Sequence, residues 1–476
     1  MDFNLHIKNI GPLTDANLRI GQLTVLAGPN STGKSFVSKI LYSLFNTMNA
    51  NLPQEYLLHL TQPIRRNLRS LGFAERDLAA HEFRKSENAA DSTLNVLDEK
   101  ILEMESLIAQ PALDDPAEIE DALTTLKTMT ENMQSDFSEA CSSLRTMLER
   151  RGKSDRYFRD RSYVERRIAS LEKSFSELQK NLDHATASQF ITNGLEHVVR
   201  ENLIRNFQTS DFAKLRGNEN HESTVSIADF CKFEISSEDF ELNVRYDGLL
   251  KFQQYSTVLY LESPVQWKLK EPLERLRLSE RDQRLRRGRL TGVPGYFYDL
   301  VSELRGEYTG EMDFPQLHEK LTGKNVLGGS LAISEASEIL FRENDRSFQL
   351  TLTATGVINL GILALLIERK ILDKNSFVFI DEPEAHLHPA WQVVMADTLL
   401  ELAKGGAHVV IATHSIDILK RLEVHAKKNP EDKGLIALNQ FPPRDGEGDV
   451  REFDEKVADI LQELTDPFAE TFVKGI

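Results

Sequence analysis

The octapeptide Gly28-Pro29-Asn30-Ser31-Thr32-Gly33-Lys34-Ser35 decides how this chain folds. It fits the phosphate-binding loop pattern G-x-x-x-x-G-K-[S/T] at every fixed position. In such a loop the backbone N–H groups of residues 30–33 turn inward around an anion, which Gly28 and Gly33 permit because they lack a Cβ. The pattern places Lys34 beside the β- and γ-phosphates and the Ser35 hydroxyl beside Mg²⁺.

The residues on both sides of this loop support the same interpretation. Leu23 to Ala27 is a short apolar run, typical of a buried strand. From Ser35 to Phe45, apolar residues recur on one face of a predicted helix. A strand, a glycine loop and a helix N-terminus together form an anion site, so a chance glycine turn is the weaker alternative. The sequence therefore predicts that the chain binds ATP with Mg²⁺.

The composition limits the class of protein. The 476 residues include 57 Lys and Arg against 74 Asp and Glu, a net charge of −17, so a general nucleic-acid coat is excluded. The two cysteines, Cys141 and Cys231, form no metal-binding or disulfide pattern, which fits a reducing compartment. The start lacks a signal-peptide pattern, and the longest apolar run, Val357 to Ile367, is too short to cross a bilayer. We therefore expect a cytoplasmic protein that does not enter the membrane.

The chain changes character twice. Alternating runs around the phosphate loop predict a small sheet, and from about residue 51 to residue 215 the sequence becomes charged and helical. Strand-like and mixed segments return after Glu222. We therefore expect an N-terminal head part at residues 1–64, a helical or coiled-coil insertion at 65–215 and a C-terminal head part at 216–476.

The insertion contains two long runs in which apolar residues step by three and four. These runs extend from Ile119 to Met147 and from Val164 to Ala185, and a polar segment at residues 150–156 separates them. Two heptad helices joined by a short turn predict an antiparallel helical hairpin. The alternative is that both helices belong to a globular bundle.

The remaining sequence predicts the rest of the head. Residues 226–235, 240–246 and 258–261 are rich in β-branched and aromatic residues, and 328–353 predicts a small antiparallel sheet. From residue 357 to residue 424, helices and strands alternate. This alternation is typical of the α/β core to which the phosphate loop would belong.

Two later strands are predicted to deliver polar groups to the nucleotide. The apolar run Phe377-Val378-Phe379-Ile380 ends in Asp381 and Glu382, where Asp381 suits the Mg²⁺ shell and Glu382 suits polarisation of an attacking water. Val409-Val410-Ile411-Ala412 likewise leads to His414, which can hydrogen-bond the γ-phosphate or the water. The structural alternatives are a capped strand end and a structural histidine.

These motifs carry a resemblance. The chain resembles an ABC-type ATPase head of the SMC/RecF kind in three motifs: the phosphate loop, Ile380-Asp381-Glu382-Pro383 and Ala412-Thr413-His414-Ser415. A long helical insertion lies between the first two motifs, as in that family. The longer segment Asp381-Glu382-Pro383-Glu384-Ala385-His386-Leu387-His388-Pro389 resembles the sequence at this position in the branch that contains the OLD-family ATPases and the antiphage ATPases PtuA and AriA. The resemblance covers residues 1 to about 60 and 220 to about 425. It implies an α/β, ABC-type P-loop ATPase head with an inserted α-helical hairpin.

The resemblance also implies how two heads would assemble. Thr355 and Gly356 match the Ser-Gly core of the signature loop, which in ABC proteins contacts the partner's nucleotide, so we expect a homodimer or higher homo-oligomer around sandwiched ATP. The alternative is that Thr355 caps an ordinary helix. His388 stands where ABC proteins carry the D-loop aspartate. The glutamine of the lid loop has three candidates, Gln54, Gln62 and Gln253.

By the same resemblance, the chain looks like the sensor ATPase of a bacterial antiphage system that controls a separate effector such as a nuclease. No Toprim-like acidic cluster follows the head, so we expect no nuclease centre in this chain. A RecF-like DNA-repair ATPase and an ATP-gated scaffold with little turnover are the alternatives. Glu384, His386 and His388 could be interpreted as a metal site, although their segment starts a loop.

Two arginine-rich clusters stand out in the acidic chain, and either could contact DNA or an acidic protein. The alternative is that both are solvated helix faces, because Glu and Asp are interleaved with the basic residues. The clusters comprise Arg145, Arg150, Arg151, Lys153, Arg156, Arg159, Arg161, Arg166 and Arg167, and Arg275, Arg277, Arg281, Arg284, Arg286, Arg287 and Arg289.

Overall fold

The computed structural model describes residues 2–82, 93–108, 116–150, 158–183, 185–218, 221–228, 230–236, 240–262, 264–268, 292–306, 308–335, 338–443 and 451–474. The chain forms two compact units. One, the head, combines Met1–Asn49 with Val199–Ile476, and the other, the helical unit, is Ala50–Val198. The helical unit begins before the predicted insertion of residues 65–215, because a long helix already starts at Leu52, and it ends before residue 215.

The strands of the head are β1 (Phe3–Ile10), β2 (Leu13–Ile20), β3 (Leu23–Ala27), β4 (Ser223–Ile227), β5 (Cys231–Ile235), β6 (Phe240–Val244), β7 (Val258–Leu261), β8 (Ser330–Ile333), β9 (Ile339–Glu343), β10 (Arg346–Gln349), β11 (Phe377–Asp381), β12 (His408–Thr413) and β13 (Ile436–Gln440). The helices of the chain are α1 (Lys34–Met48), α2 (Leu52–Glu82), α3 (Thr93–Leu107), α4 (Pro116–Arg150), α5 (Phe158–Asp183), α6 (Ala187–Phe207), α7 (Tyr246–Phe252), α8 (Val265–Lys268), α9 (Gly295–Glu303), α10 (Pro315–Thr322), α11 (Thr355–Glu368), α12 (Pro389–Lys404), α13 (Ile416–Lys428) and α14 (Phe453–Lys474). Short 3-10 helices lie at Phe212–Leu215, Leu350–Leu352 and Pro430–Leu435.

A parallel sheet of order β13-β3-β12-β11-β7 forms the core of the head. Its central strands are buried along their whole length, as expected of parallel strands covered on both faces. In this register Ala27 lies opposite Thr413, and Asp381 lies opposite Ala412. The carboxyl ends of β3, β12 and β11 therefore meet at one edge of the sheet, where ligands bind in open α/β sheets.

Two antiparallel sheets complete the head, with the orders β2-β1-β4-β5-β6 and β10-β9-β8. The run 226–235, predicted as one strand, is two strands that pair with each other. The chain reverses between them at Ala228, whose φ is +43°. The alternation of apolar residues continues through both arms of this hairpin, so the periodicity alone did not reveal the turn.

In the helical unit, α4 and α5 form the expected antiparallel pair. Phe137 and Phe175 stack at their interface with ring centroids 4.3 Å apart, and Gln179 donates to Gln134. Other helices join this pair: Arg65 of α2 pairs with Asp98 of α3, and Lys100 of α3 pairs with Asp136 of α4. Asn67 of α2 donates to Ser170 of α5. The hairpin is therefore one half of a bundle formed by α2, α3, α4 and α5.

The fold-class prediction is confirmed. An α/β head with a parallel sheet carries its phosphate loop between β3 and α1, and a unit made of helices is inserted in the sequence of the head. Among the helices that the structure describes, none is long and apolar enough to cross a membrane.

Candidate functional site

The phosphate loop leaves the end of β3 and enters α1 directly. Gly33 precedes the helix with φ at +101°, and Ser31 within the loop also has a positive φ, +65°. Gly28 has φ at +154°, and a Cβ there would lie 1.8 Å from the carbonyl oxygen of Phe441, just after β13. Gly28 is therefore required by a neighbouring backbone as well as by its own conformation.

Lys34 is buried within this loop. Its Nζ donates to the carbonyl oxygens of Gly28, at 2.9 Å, and Pro29, at 2.5 Å. Burial lowers the pKa of the Lys34 ammonium, and the carboxylates of Asp381, Glu384 and Glu382 oppose that effect. These contacts hold the cation inside the curl of the loop, where an anionic ligand would replace carbonyl oxygens as its partner.

Ser35 and Asp381 meet at the sheet edge. The Ser35 hydroxyl donates to Asp381 Oδ1 at 2.8 Å, and the buried Tyr260 hydroxyl lies 3.4 Å from Oδ2. Burial raises the pKa of Asp381 to about 6, although the hydrogen bond from Ser35 and the charge of Lys39 lower it. A hydroxyl and a buried carboxylate side by side are oxygen donors of the kind Mg²⁺ prefers, and a cation would relieve the cost of ionising this carboxyl group.

Glu382 follows directly at the end of β11. Its N–H donates to the carbonyl oxygen of Ala412 on β12, and its φ is +52°. The backbone thus turns sharply away from the sheet, and the Glu382 side chain is 51% exposed. Glu382 is therefore the carboxylate of this edge that water can reach.

His414 lies at the end of β12, between two carboxylates. Its Nδ1 is 3.9 Å from Oε1 of Glu382 and 3.2 Å from Oε1 of Glu384. The fold therefore brings together the phosphate loop, Asp381, Glu382 and His414, all of which the sequence predicted at one site. Glu384 was not expected to be part of it.

The segment at Thr355 and Gly356 begins α11. Ala354 occupies the N-cap position and no side chain caps the helix, so the alternative in which Thr355 is a capping residue does not hold. Gly356 packs against the loop after β11, where an added Cβ would lie 2.7 Å from the carbonyl oxygen of His386. One turn later, Asn359 Nδ2 donates to the carbonyl oxygens of Pro383 and Ala385, both at 3.1 Å.

Two further polar residues lie at this edge of the sheet. The strand next to β11 is β7, and it leads to Glu262 and Gln266. Glu262 accepts hydrogen bonds from Lys39, Tyr296 and Gln266, at 3.0, 2.7 and 2.7 Å. The long-range pairing of β7 with β11 brings these residues to this edge of the sheet, and no local sequence motif predicts that pairing.

The three glutamines considered from the sequence belong to two different parts of the chain. Gln54 and Gln62 belong to α2, whose residues are part of the helical unit. Gln253 donates to the carbonyl oxygen of Met48 at the end of α1.

The interpretation of Glu384, His386 and His388 as a metal site gains no support. Within the described part of the chain, no group of three or more potential ligands is arranged to hold a metal. His388 instead caps α12, because its Nδ1 accepts the N–H of Ala390 at 3.3 Å.

The described residues of the arginine clusters lie on helix faces. Arg145 pairs with Glu172 at 2.7 Å and Arg161 pairs with Glu165 at 2.9 Å, so neighbouring carboxylates balance both cations. The second cluster, from Arg275 to Arg289, and residues 151–156 of the first lie outside the described residues.

Comparisons with known proteins agree with this site. A family model described as an AAA ATPase domain matches residues 277–419, less than a third of the chain, and this span includes the signature-like segment, Asp381, Glu382 and His414. No curated protein matches the chain.

Two solved structures are similar over nearly the whole chain. One is the Smc head domain of Pyrococcus furiosus with an extended coiled coil, bound to the C-terminal domain of ScpA, at 13% identity and a TM-score of 0.29, covering 98% of this chain and 100% of that one. The other is the Smc head domain of Pyrococcus yayanosii with a coiled coil and joint, at 12% identity and a TM-score of 0.31, covering 97% and 99%. Because these TM-scores are low, the description of the fold depends on the strand order and the loop geometry. The family match and the geometry together support an ATPase domain of the P-loop class.

Proposed function

We propose that the chain binds ATP with Mg²⁺ at the phosphate loop and hydrolyses it. The observation that carries this proposal is the 2.8 Å hydrogen bond between Ser35 and Asp381. It joins the first residues of α1 to the end of β11, so that the phosphate loop and the acidic strand end form one polar site. Ser35 and Asp381 would hold the Mg²⁺, which neutralises charge on the phosphates when bound.

Each side chain of the site then has a defined task. The backbone N–H groups of Asn30, Ser31, Thr32 and Gly33, with Lys34, bind the phosphates. Glu382, exposed at the strand end, orients a water molecule and accepts its proton. His414, on the neighbouring strand, hydrogen-bonds the γ-phosphate or that water.

We further propose that two heads pair around the nucleotide in a homodimer or higher homo-oligomer. Thr355 and Gly356 begin a helix whose first N–H groups have no side-chain cap, which leaves them free to meet a partner's γ-phosphate.

In its biological role, we propose a sensor ATPase of a bacterial antiphage system, located in the cytoplasm, that controls a separate effector such as a nuclease. This role is supported by the sequence of residues 381–389, which resembles that of the OLD-like, PtuA and AriA branch. The described cations Arg145 and Arg161 have carboxylate partners, so these two residues give no specific support to the alternative of a DNA-binding repair ATPase.

Steady-state hydrolysis of ATP tests the enzymatic proposal. We expect Mg²⁺-dependent turnover that falls about 100-fold or more in Glu382→Gln, because the catalytic base is lost while the phosphate contacts remain. Glu343→Gln, at an exposed carboxylate on β9, is the matched control and should keep wild-type turnover. Equal rates in Glu382→Gln and the control would reject Glu382 as the base, and an inactive wild type would reject hydrolysis itself.

Co-expression with the neighbouring genes tests the biological proposal. We expect Glu382→Gln to purify with a second, nuclease-like polypeptide in the presence of ATP and Mg²⁺. A bare assembly whose ATPase rate rises with added DNA would instead support a repair role.

A further inference from the structure

Glu384 occupies an unusual position for a carboxylate. It lies in the loop between β11 and α12, and its side chain is only 6% exposed. Its Oε1 accepts two hydrogen bonds of 2.8 Å, one from the Thr413 hydroxyl and one from the backbone N–H of His414. Both donors come from the end of β12. Glu384 therefore attaches the loop after the acidic strand to the strand end that carries His414.

The second carboxylate oxygen, Oε2, is buried and has no hydrogen-bond partner. The imidazole Nδ1 of His414 is also buried without a hydrogen bond, and it lies 3.2 Å from Oε1 of the same carboxylate. A buried acceptor and a buried ring nitrogen that both lack partners are costly when separate. A small rotation of the ring would give Nδ1 a charge-assisted hydrogen bond to Oε1, which lies 3.2 Å away.

The loop that carries Glu384 is held from a third element. Asn359 of α11 donates to the carbonyl oxygens of Pro383 and Ala385, the residues on either side of Glu384. The position of the carboxylate is therefore set by α11 and β12. It does not depend on a ligand at the phosphate loop.

We propose that Glu384 is a positioning residue for His414. The Glu384 carboxylate interacts with Nδ1 and stabilises the protonated imidazole. The other ring nitrogen, Nε2, is then the donor to the nucleotide. The inference deepens the proposed function, since it concerns the histidine of that site, but the contact with Glu384 exists without nucleotide.

The surrounding charges decide how strongly the pair interacts. Glu382 approaches the same ring nitrogen, with its Oε1 3.9 Å from Nδ1, and Lys34 of α1 interacts electrostatically with Glu384 and Glu382. Burial raises the pKa of Glu384, whereas the hydrogen bonds from His414 and Thr413 and the charge of His414 lower it. The positive charge of a protonated ring therefore favours the ionised form of Glu384.

The test is a pH titration of the nucleotide-free protein, labelled with ¹³C at histidine Cε1 and observed by NMR. The His414 resonance is the one missing from His414→Gln. Removal of the carboxylate charge in Glu384→Gln, which keeps an oxygen for Thr413 and the His414 N–H, should move the His414 titration midpoint down by about one pH unit. Thr413→Val is the matched control, because it removes the two hydrogen bonds of the Thr413 hydroxyl, to Glu384 and from the Ser415 N–H, and keeps the charge.

A midpoint that stays in place in Glu384→Gln, or that moves as far in Thr413→Val, would overturn the inference. Glu384→Asp provides a second comparison if the glutamine variant does not fold. Its carboxylate is withdrawn by one methylene, so we expect a midpoint below that of the wild type, and a wild-type midpoint would count against the inference.

Kinetics separates this inference from the proposed function. In Glu384→Gln we expect kcat to fall about 10-fold while KM changes little, and the alkaline limb of the pH profile to move to lower pH, because the protonated His414 is lost earlier. An inactive wild type with the predicted NMR shift would reject hydrolysis and retain the Glu384–His414 contact. Normal ATP hydrolysis by the wild type without the predicted NMR shift in Glu384→Gln would retain the proposed function and reject the role of Glu384.

Discussion

Ser35 Oγ and Asp381 Oδ1 are joined by a hydrogen bond of 2.8 Å although 346 positions separate the two residues in the sequence. Three neighbouring parallel strands explain the contact. β12 lies between β3 and β11, in register with both, so the P-loop helix and the acidic strand end reach the same edge. The buried Tyr260 hydroxyl approaches the other oxygen of Asp381 from β7. The nucleotide site therefore depends on the sheet being assembled correctly.

Lys34→Ala should weaken ATP binding about 10- to 100-fold, the effect of losing a charged contact to phosphate. The variant also leaves the carbonyl oxygens of Gly28 and Pro29 without their donor. Titration calorimetry with a non-hydrolysable ATP analogue measures the loss. Lys8→Ala, at an exposed lysine of β1, is the control, and equal affinity in both variants would remove Lys34 from the site.

Gly28→Ala should destabilise the head more than Gly310→Ala. Both glycines have positive φ, +154° and +102°, but only at Gly28 would the new Cβ meet another backbone, 1.8 Å from the carbonyl oxygen of Phe441. We expect a loss of about 1 kcal/mol from strain in Gly310→Ala and about 3 kcal/mol in Gly28→Ala, where β13 must move. Calorimetric melting of both variants measures the difference. Equal losses would mean that the contact with Phe441 does not constrain the loop.

The head should contain a pH-dependent contribution to stability at Asp432. The hydrogen bonds from Lys404 and His425, both of 2.8 Å to Oδ2, lower the pKa of Asp432. A lowered pKa means that the folded state favours the charged form, so the stabilisation is present above about pH 4 and is lost as pH falls further. Asp432→Asn should therefore destabilise the protein by about 1 kcal/mol at pH 7. The gap between wild type and variant, measured by melting at several pH values, should close toward pH 3, and a constant gap would contradict this.

Thr355→Arg should prevent ATP-dependent pairing of heads while leaving ATP bound. Thr355 begins α11, and a long cation there would occupy the space of a partner's γ-phosphate. Light scattering gives the mass, and bound nucleotide is measured on the same sample. Thr128→Arg, at an exposed threonine of α4, is the control that should still pair. Pairing of both variants would exclude α11 from the interface.

Local patterns predicted the parts of the site that a short segment specifies. The octapeptide from Gly28 to Ser35 contains its own turn and helix start, and the apolar runs before Asp381 and His414 mark buried strands. Because parallel strands end at one edge, these segments could be placed together without coordinates.

The parts that escaped prediction depend on long-range packing. Gln266 and Glu262 reach the site only because β7 pairs with β11, and Phe441 constrains Gly28 only because β13 pairs with β3. Glu384 was interpreted together with two neighbouring histidines, whereas its partners, Thr413 and His414, lie on the next strand. The helical periods of α4 and α5 could not show that α2 and α3 pack beside them, since each amphipathic face fits several partners.

The mass of purified Glu382→Gln in solution tests the central claim most directly, because it requires nucleotide, Mg²⁺ and assembly together. The chain has a mass of 54.1 kDa, so the account predicts twice this mass, or a higher multiple, with ATP and Mg²⁺. It predicts a smaller species with ATP and EDTA, where Ser35 and Asp381 have no cation to hold. A mass that is the same with ATP–Mg²⁺, with ATP–EDTA and without nucleotide would contradict an assembly controlled by ATP at this site.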